Sequence, residues 1–284
     1  MNDQLGRSIK LPHWPPRRII SLVPSQTEFL ADLGLEKEVV GITKFCVHPT
    51  EWFQQKKRVG GTKTLDFQKI EALKPDLIIG NKEENDQSQI EYLSQRYPVW
   101  MSDIYTLEDA LDMMRSLGEL TGKTEKANAI ASEVERQFTQ HLSLLPAIAD
   151  AKAGTTYHSK VAYLIWRKPY MAAGSNTFID DMLRRAGFEN VFANLSRYPE
   201  ISSEQLAIMR PEVILLSSEP YPFSEKHIVE LQEICPESRI QLVDGELFSW
   251  YGSRLLSSPA YFAGLLDGSE PHSFIEPQKA QKDT

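Results

Sequence analysis

Gln68-Lys69-Ile70-Glu71-Ala72-Leu73-Lys74-Pro75-Asp76-Leu77-Ile78-Ile79 decides the fold once it is set beside Glu204-Gln205-Leu206-Ala207-Ile208-Met209-Arg210-Pro211-Glu212-Val213-Ile214-Leu215. The two stretches stand 136 positions apart and match in their apolar, acidic and proline positions. Each reads as a short amphipathic helix halted by a proline and followed by an apolar strand, over Asp66–Leu73 and Asp76–Ile79 in the first copy. Self-similarity at a constant offset marks a duplicated supersecondary unit.

Working outward, Arg18–Val23 is a strand pattern bounded by Pro24, and Ser25-Gln26-Thr27-Glu28 fits a capping box. The helix that follows carries Phe29, Leu30 and Leu33 and closes at Gly34, a good residue just past a helix end. Val39–Ile42 reads as a second strand, Glu91–Gln95 as helical, and Val99-Trp100 as the start of another strand. Strands alternating with helices at this spacing predict parallel βαβ units. Leu107, Leu111, Met114 and Leu117 then recur at helical spacing up to Thr121-Gly122-Lys123. Ala127, Ile130, Val134, Phe138 and Leu142 continue one stripe that ends near Pro146, a helix of about 30 Å that is long enough to join two lobes. Lys160–Ile165 repeats the first strand, and Ser175-Asn176-Thr177 opens a helix running to Gly187. The expected fold is therefore α/β, two parallel-sheet α/β lobes joined by one long bridging helix. Its expected divisions are a polar, proline-rich extended lead-in over 1–16, an N-terminal lobe over 17–106, a bridging helical segment over 107–146, a C-terminal lobe over 157–266 and a loose tail over 267–284.

The 284 residues are 41% hydrophobic and 25% charged, a composition that excludes disordered, collagenous and membrane-spanning classes. A net charge of -8 argues against nucleic acid as the main partner, since there is no basic surplus to neutralise phosphates. Cys46 and Cys235 are far apart and in no metal-ligand spacing, so two separate thiols are expected. No apolar run is long enough to span a bilayer, and Met1 is followed by no apolar signal-peptide core. The expected location is the cytoplasm, with the periplasm as the alternative if a signal has been removed.

In open parallel sheets, ligands sit beyond the carboxyl ends of the strands. The residues just after the apolar runs are therefore the candidates: Ser25, Lys44, His48, Lys63, Lys82 and Glu83 in the first half, and Trp166, Arg167, Tyr198, Glu219, Trp250, Tyr251 and Arg254 in the second. Aromatics mixed with charges of both signs suit a large, flat, polar-edged organic ligand. Lys63 and Lys82, with Arg167 and Arg254, are expected to hold carboxylates at its edge, and Trp166 and Trp250 to cover its plane. No nucleophile elbow, P-loop or dinucleotide fingerprint is present, and one cysteine beside His48 does not make a metal site.

The stretches RIISLVPSQTEFLADLGL (18–35), VVGIT (39–43), FQKIEALKPDLII (67–79), LGELTGK (117–123) and SSEQLAIMRPEVILL (202–216) resemble the helical-backbone substrate-binding proteins of iron–siderophore and cobalamin ABC transporters, the cobalamin-binding branch above all. The likeness covers about residues 17–265. It implies two α/β lobes, a ligand held between them, no catalysis, no cofactor, and delivery to a membrane permease. Cobalamin, haem or a ferric siderophore is the implied ligand class, and a monomer is expected. Where cobalamin-binding relatives carry tryptophans, this chain has Thr62-Lys63 and Asn81-Lys82; where bare-ion carriers have a histidine after the first strand, it has Pro24-Ser25. Glu204 stands at the position of a permease-docking glutamate, and Gln68 at that of its first-lobe counterpart. The alternative is a metal chelatase on a related two-lobed scaffold, with His48, Glu83 or Glu84 as proton acceptors.

Overall fold

Ile19–Ser21, Val39–Ile42, Lys57–Arg58, Leu77–Asn81 and Val99–Ser102 form strands β1 to β5 of a first sheet, ordered β3-β2-β1-β4-β5 with every neighbour parallel. Helices α1 (Pro24–Asp32), α2 (Thr50–Gln55), α3 (Phe67–Leu73), α4 (Gln87–Ser94) and α5 (Leu107–Thr121) connect and cover it. This computed structural model describes residues 1–150 and 159–267. It divides into a first unit of Met1–Arg136 plus Trp250–Leu256 and a second of Gln137–Ser249 plus the residues from Ser257. The expected tail beyond Asp267 lies outside the described residues.

Local chemistry explains most of the first unit. Asp66 caps α3 by accepting from the Lys69 amide, Asp86 caps α4 through Gln89, and Thr106 with Asp109 forms a full capping box on α5. The capping box predicted at Ser25 does not form. Pro24 starts α1 two residues earlier than that cap implies, with Val23 at the cap, which leaves Ser25 buried inside the first turn and Glu28 for another partner. Ile19, Ile20, Ile78, Ile79, Phe29 and Leu30 are wholly removed from water, the burial expected of a parallel sheet covered on both faces.

The lead-in is folded onto this unit. Residues 2 and 8 make an antiparallel bridge, the Gln4 amide donates to the Met101 carbonyl at 3.1 Å, and Trp14 Nε1 donates to the Glu119 carbonyl at 3.1 Å. It thereby covers the otherwise open edge of β5, whose unpaired backbone groups would invite strand pairing.

Helix α6 (Thr124–Asp150) follows α5, from which it is separated by Gly122 in the left-handed region. The break expected at Thr121-Gly122-Lys123 falls between α5 and α6, and the division between the units at Arg136 and Gln137 lies within α6. Its buried stripe is Ala127, Ala131, Val134, Phe138 and His141; alternating steps of four and three bring His141 inward and leave Leu142 exposed.

The second unit holds β6 (Ser159–Trp166), β7 (Tyr170–Ala172), β8 (Phe188–Asn190), β9 (Glu200–Ile201), β10 (Val213–Ser217) and β11 (Arg239–Val243). Its helices are α7 (Phe178–Arg185), α8 (Ser203–Met209), α9 (Glu225–Ile234), α10 (Glu246–Ser249) and α11 (Ser258–Asp267). The parallel set β8-β6-β10-β11 repeats β2-β1-β4-β5. The repeat holds residue by residue: α8 lies 136 positions after α3, β10 lies 136 after β4, and Lys74 and Arg210 end the two helices with φ of 47° and 46°. The sheet is mixed rather than wholly parallel, because β7 and β9 run antiparallel. Only Arg167-Lys168-Pro169 separate β6 from β7, and three residues cannot make the crossover that a parallel neighbour needs.

Candidate functional site

At the carboxyl ends of the first sheet, the loop after β2 brings Lys44, Phe45, Cys46 and His48 together. Lys44 Nζ stands 5.2 Å from the centre of the Phe45 ring, and Phe45 is 48% exposed. Cys46 is wholly buried, with Thr27 and Thr43 hydroxyls each 3.1 Å from its sulfur. Burial pushes its thiol pKa up, against smaller opposing effects of those hydroxyls, so it is a packed neutral thiol rather than a reactive one. Cys235 is also buried and free.

Gly60 makes the next turn. Its φ of 107°, with the Thr64 carbonyl 2.4 Å from where a Cβ would sit, admits only glycine. The loop after β4 is built around two buried amides. Asn81 Oδ1 accepts from the Glu83 and Glu84 amides at 2.8 and 3.0 Å, and Asn85 Nδ2 donates to the Thr62 carbonyl at 3.0 Å. Lys63 Nζ donates to the Glu83 and Asn85 carbonyls, tying the two loops together. Lys82 pairs with Asp103 at 2.6 Å, a hydrogen bond that raises its pKa, and lies beside the Tyr105 ring. Glu84 is half-buried; its carboxyl pKa is raised by burial and by the charge of Glu83, with Lys63 acting the other way.

Trp250, Tyr251 and Arg254 belong to this first unit, not to the second lobe where their sequence position places them. The turn Ser253–Leu256 packs on α1, and Gly252 comes so close that a Cβ there would lie 3.1 Å from the Ser25 carbonyl oxygen. Arg254 forms a two-pronged ion pair with Glu28 at 2.9 and 2.5 Å, and Ser253 donates to Asp32. The Arg254 guanidinium also lies 4.8 Å over Trp250, whose ring meets His48 edge-on at 5.6 Å.

In the second unit, Trp166 stands at the end of β6 with 39% of its surface exposed and meets Tyr221 edge-on at 5.6 Å. Arg167 binds Glu230 with both nitrogens and Tyr170 donates to the same carboxylate. The Arg167 hydrogen bond holds Glu230 below its usual carboxylate range, while burial and that carboxylate push Tyr170 up to about 12. His227 accepts from the Ser224 amide at 2.9 Å and sits 3.3 Å from the Tyr221 hydroxyl; burial lowers its pKa. Tyr198 lies beneath Arg197, and Glu219 accepts from the Ser249 hydroxyl at 2.7 Å. Gln68 and Glu204 are both exposed in the first turns of α3 and α8. His158 and His272 lie outside the described residues.

Four of the candidates therefore meet around α1 in the first unit, Ser25, His48, Trp250 and Arg254, while Lys44 lies beside Phe45 on the loop after β2. Lys63, Lys82 and Glu83 follow the neighbouring strands, and Trp166 and Arg167 lie in the second unit. The carboxylates that hold the cations, Glu28, Asp103 and Glu230, escaped sequence reasoning, because nothing local singles them out. Among the described residues no three His, Cys, Asp or Glu side chains converge as a metal site, and no helix is long and apolar enough to cross a membrane. The groove of about 730 Å³ lined by Lys10, Lys74, Asp76, Arg96 and Tyr97 lies by Pro75 and Pro98, at the amino ends of β4 and β5. It is at the wrong end of the sheet for a ligand site of this architecture.

The family model described as "Periplasmic binding protein" matches residues 19–233. A vitamin B12-binding protein of Vibrio parahaemolyticus is 29% identical over 212 residues, 74% of each chain. A periplasmic heme binding protein from Pseudomonas aeruginosa has a TM-score of 0.78 at 23% identity, covering 91% of this chain and 95% of that one. The periplasmic vitamin B12 binding protein of Vibrio cholerae has a TM-score of 0.73 at 23% identity, covering 90% and 98%.

Proposed function

The chain belongs to the periplasmic binding protein family, and from that premise we propose that it binds a planar metal chelate of the cobalamin or haem kind for an ABC-type uptake system. The observation that carries this reading is the set of exposed aromatic rings near the carboxyl ends of the parallel strands: Phe45 in the first unit, Trp166 beside Tyr221 in the second. Exposed rings at strand ends are costly to leave in water and suited to cover an apolar plane. The names of the relatives, vitamin B12-binding and heme binding, support the same ligand class. Nothing among them favours the chelatase alternative, since these relatives are binding proteins.

Titration of the purified protein with cyanocobalamin, haemin and a ferric siderophore, followed by tryptophan fluorescence, tests the proposal. Saturable binding of one of them without turnover is the expected result; no binding of any, or metal insertion into a porphyrin, overturns it.

The family's periplasmic relatives favour the periplasm over the cytoplasm expected from the sequence, and fractionation of the host would decide between them. Glu204, exposed in the first turn of α8, is the proposed permease contact of the second unit, and Gln68 offers only a neutral amide on the first. A single mass by light scattering would test the expected monomer.

A further inference from the structure

We propose that the groove at the amino ends of β4 and β5 is a second binding site, separate from the chelate face, which receives an extended acidic peptide of a partner protein. The groove holds about 730 Å³ and is lined from the first unit alone, at the opposite ends of the strands from the loops that carry the chelate candidates. Its cations are Lys10 on the lead-in, Lys74 at the end of α3 and Arg96 just after α4. Lys10 and Lys74 are exposed, and among the described residues neither ammonium has an ion-pair or hydrogen-bond partner. Arg96 lies 3.8 Å over the Tyr92 ring and donates to the Tyr92 carbonyl at 2.9 Å, contacts that leave its charge uncompensated. Arg18, bonded to the Leu73 carbonyl at 2.7 Å, adds positive charge beside Lys74. Two carboxylates line the groove as well. Asp76 is buried and already satisfied, accepting from the Arg17 and Arg18 amides at 2.8 Å each and pairing with His13 at 2.9 Å. Glu71, one turn before Lys74, offsets one positive charge. The local balance is positive although the chain carries a net charge of -8, because charges beyond a Debye length of about 8–10 Å are largely screened.

The shape and the backbone select a chain segment over a lone anion. A second groove of about 380 Å³ shares Lys10, Arg96 and Tyr97 with the first and reaches Arg7 and Val99, so the trough follows the lead-in past the start of β5. Among the described residues, the backbone N–H and C=O groups of Lys10 and Leu11 have no hydrogen-bond partner, and Pro12 favours extended backbone at Leu11. Unpaired amides and carbonyls bordering a groove are a template on which an extended peptide adds as a strand. Acidic side chains at alternate positions of such a strand share one face, where the cations of the groove can meet them in charge-assisted hydrogen bonds. Tyr97 and Pro98 add apolar lining for the side chains between. A flat anionic membrane would reach the exposed lysines but leave the Lys10 and Leu11 backbone unpaired.

The test titrates the full chain, by fluorescence anisotropy, with a short labelled peptide of alternating glutamate and valine and with the same peptide carrying glutamine for glutamate. Saturable binding of the acidic peptide is expected, about tenfold tighter than that of the glutamine peptide and several-fold weaker at physiological than at low salt. Lys10→Glu combined with Lys74→Glu should weaken it by about tenfold and confer binding of a lysine–valine peptide, with circular dichroism confirming that the variant is folded. In hydrogen exchange, the amides of Lys10 and Leu11 should become protected when the acidic peptide binds. Absence of saturable binding, or affinity unchanged in the folded double variant, overturns the inference. Displacement of the peptide by inorganic phosphate at comparable concentration assigns the groove to a small anion, and preference for phosphatidylglycerol vesicles assigns it to a membrane surface; either result overturns it too. Chelate binding is read separately, so each of these outcomes leaves the function proposed above standing.

Discussion

Breaking the ion pair between Glu28 and Arg254 should unfasten the segment Trp250–Leu256 from α1. The two side chains are 20% and 18% exposed and joined by two hydrogen bonds. At an effective dielectric near 20, charges about 4 Å apart attract by about 4 kcal/mol before the cost of desolvating them. Measured pairs run from about 0–1 kcal/mol when exposed to about 3–5 kcal/mol for the loss of one partner when buried. Four-fifths burial places this pair toward the upper range. Glu28→Gln, which keeps shape and removes charge, should cost about 2 kcal/mol, and Arg254→Met about 2–3 kcal/mol, since the latter also loses the contact over Trp250. The two losses should not add: a double-mutant cycle should return a coupling of about 1–2 kcal/mol. Urea unfolding followed by tryptophan fluorescence reads each value from the midpoint and slope, and Trp250 itself reports on the segment. Strictly additive losses, each below about 0.5 kcal/mol, would refute the claim that a desolvated pair fastens this turn.

Trp166→Ala should weaken chelate binding by about 1–3 kcal/mol while changing stability by no more than about 1 kcal/mol, because Trp166 is 39% exposed and, among the described residues, its ring meets only the edge of Tyr221; unchanged affinity in a titration removes it from the site. Trp250→Ala should lose both affinity and stability, since its ring is buried against Arg254 and His48. The second unit should lose stability as pH falls below about 6.5: burial lowers the pKa of His227 and His141, so the unfolded chain takes up those protons before the folded one does. His227 also faces Arg167 and Lys226, whose charges push the same way, and Glu230, which opposes them. A urea midpoint that does not move between about pH 7.5 and 5 would exclude this linkage, and His227→Gln should flatten part of the slope. In liposomes carrying a cobalamin permease, Gln68→Glu should support more transport than the unmodified chain; equal transport would show that the first-unit contact needs no charge.

The duplicated unit was legible in the sequence because its causes are local. Helices α3 and α8 repeat at 136 positions, with a capping side chain at Asp66 and at Ser202 and a left-handed residue before Pro75 and Pro211. Hydrophobic period, cap and proline act within a few residues of one another, so their pattern survives in the linear chain. Trp166 was legible for a similar reason, since it ends the apolar run of β6. Tertiary structure alone decided what those residues touch. Glu28 and Arg254 are 226 positions apart, and neither the helix pattern around the one nor the turn around the other points to its partner. The same holds for Glu230, which α9 brings to Arg167 across 63 positions. Trp250–Leu256 interrupts the second unit in sequence yet packs with the first, because the contacts of Gly252, Ser253 and Arg254 with α1 outweigh chain order. Long-range pairing depends on how loops close and sheets stack, and side-chain periodicity carries no record of that.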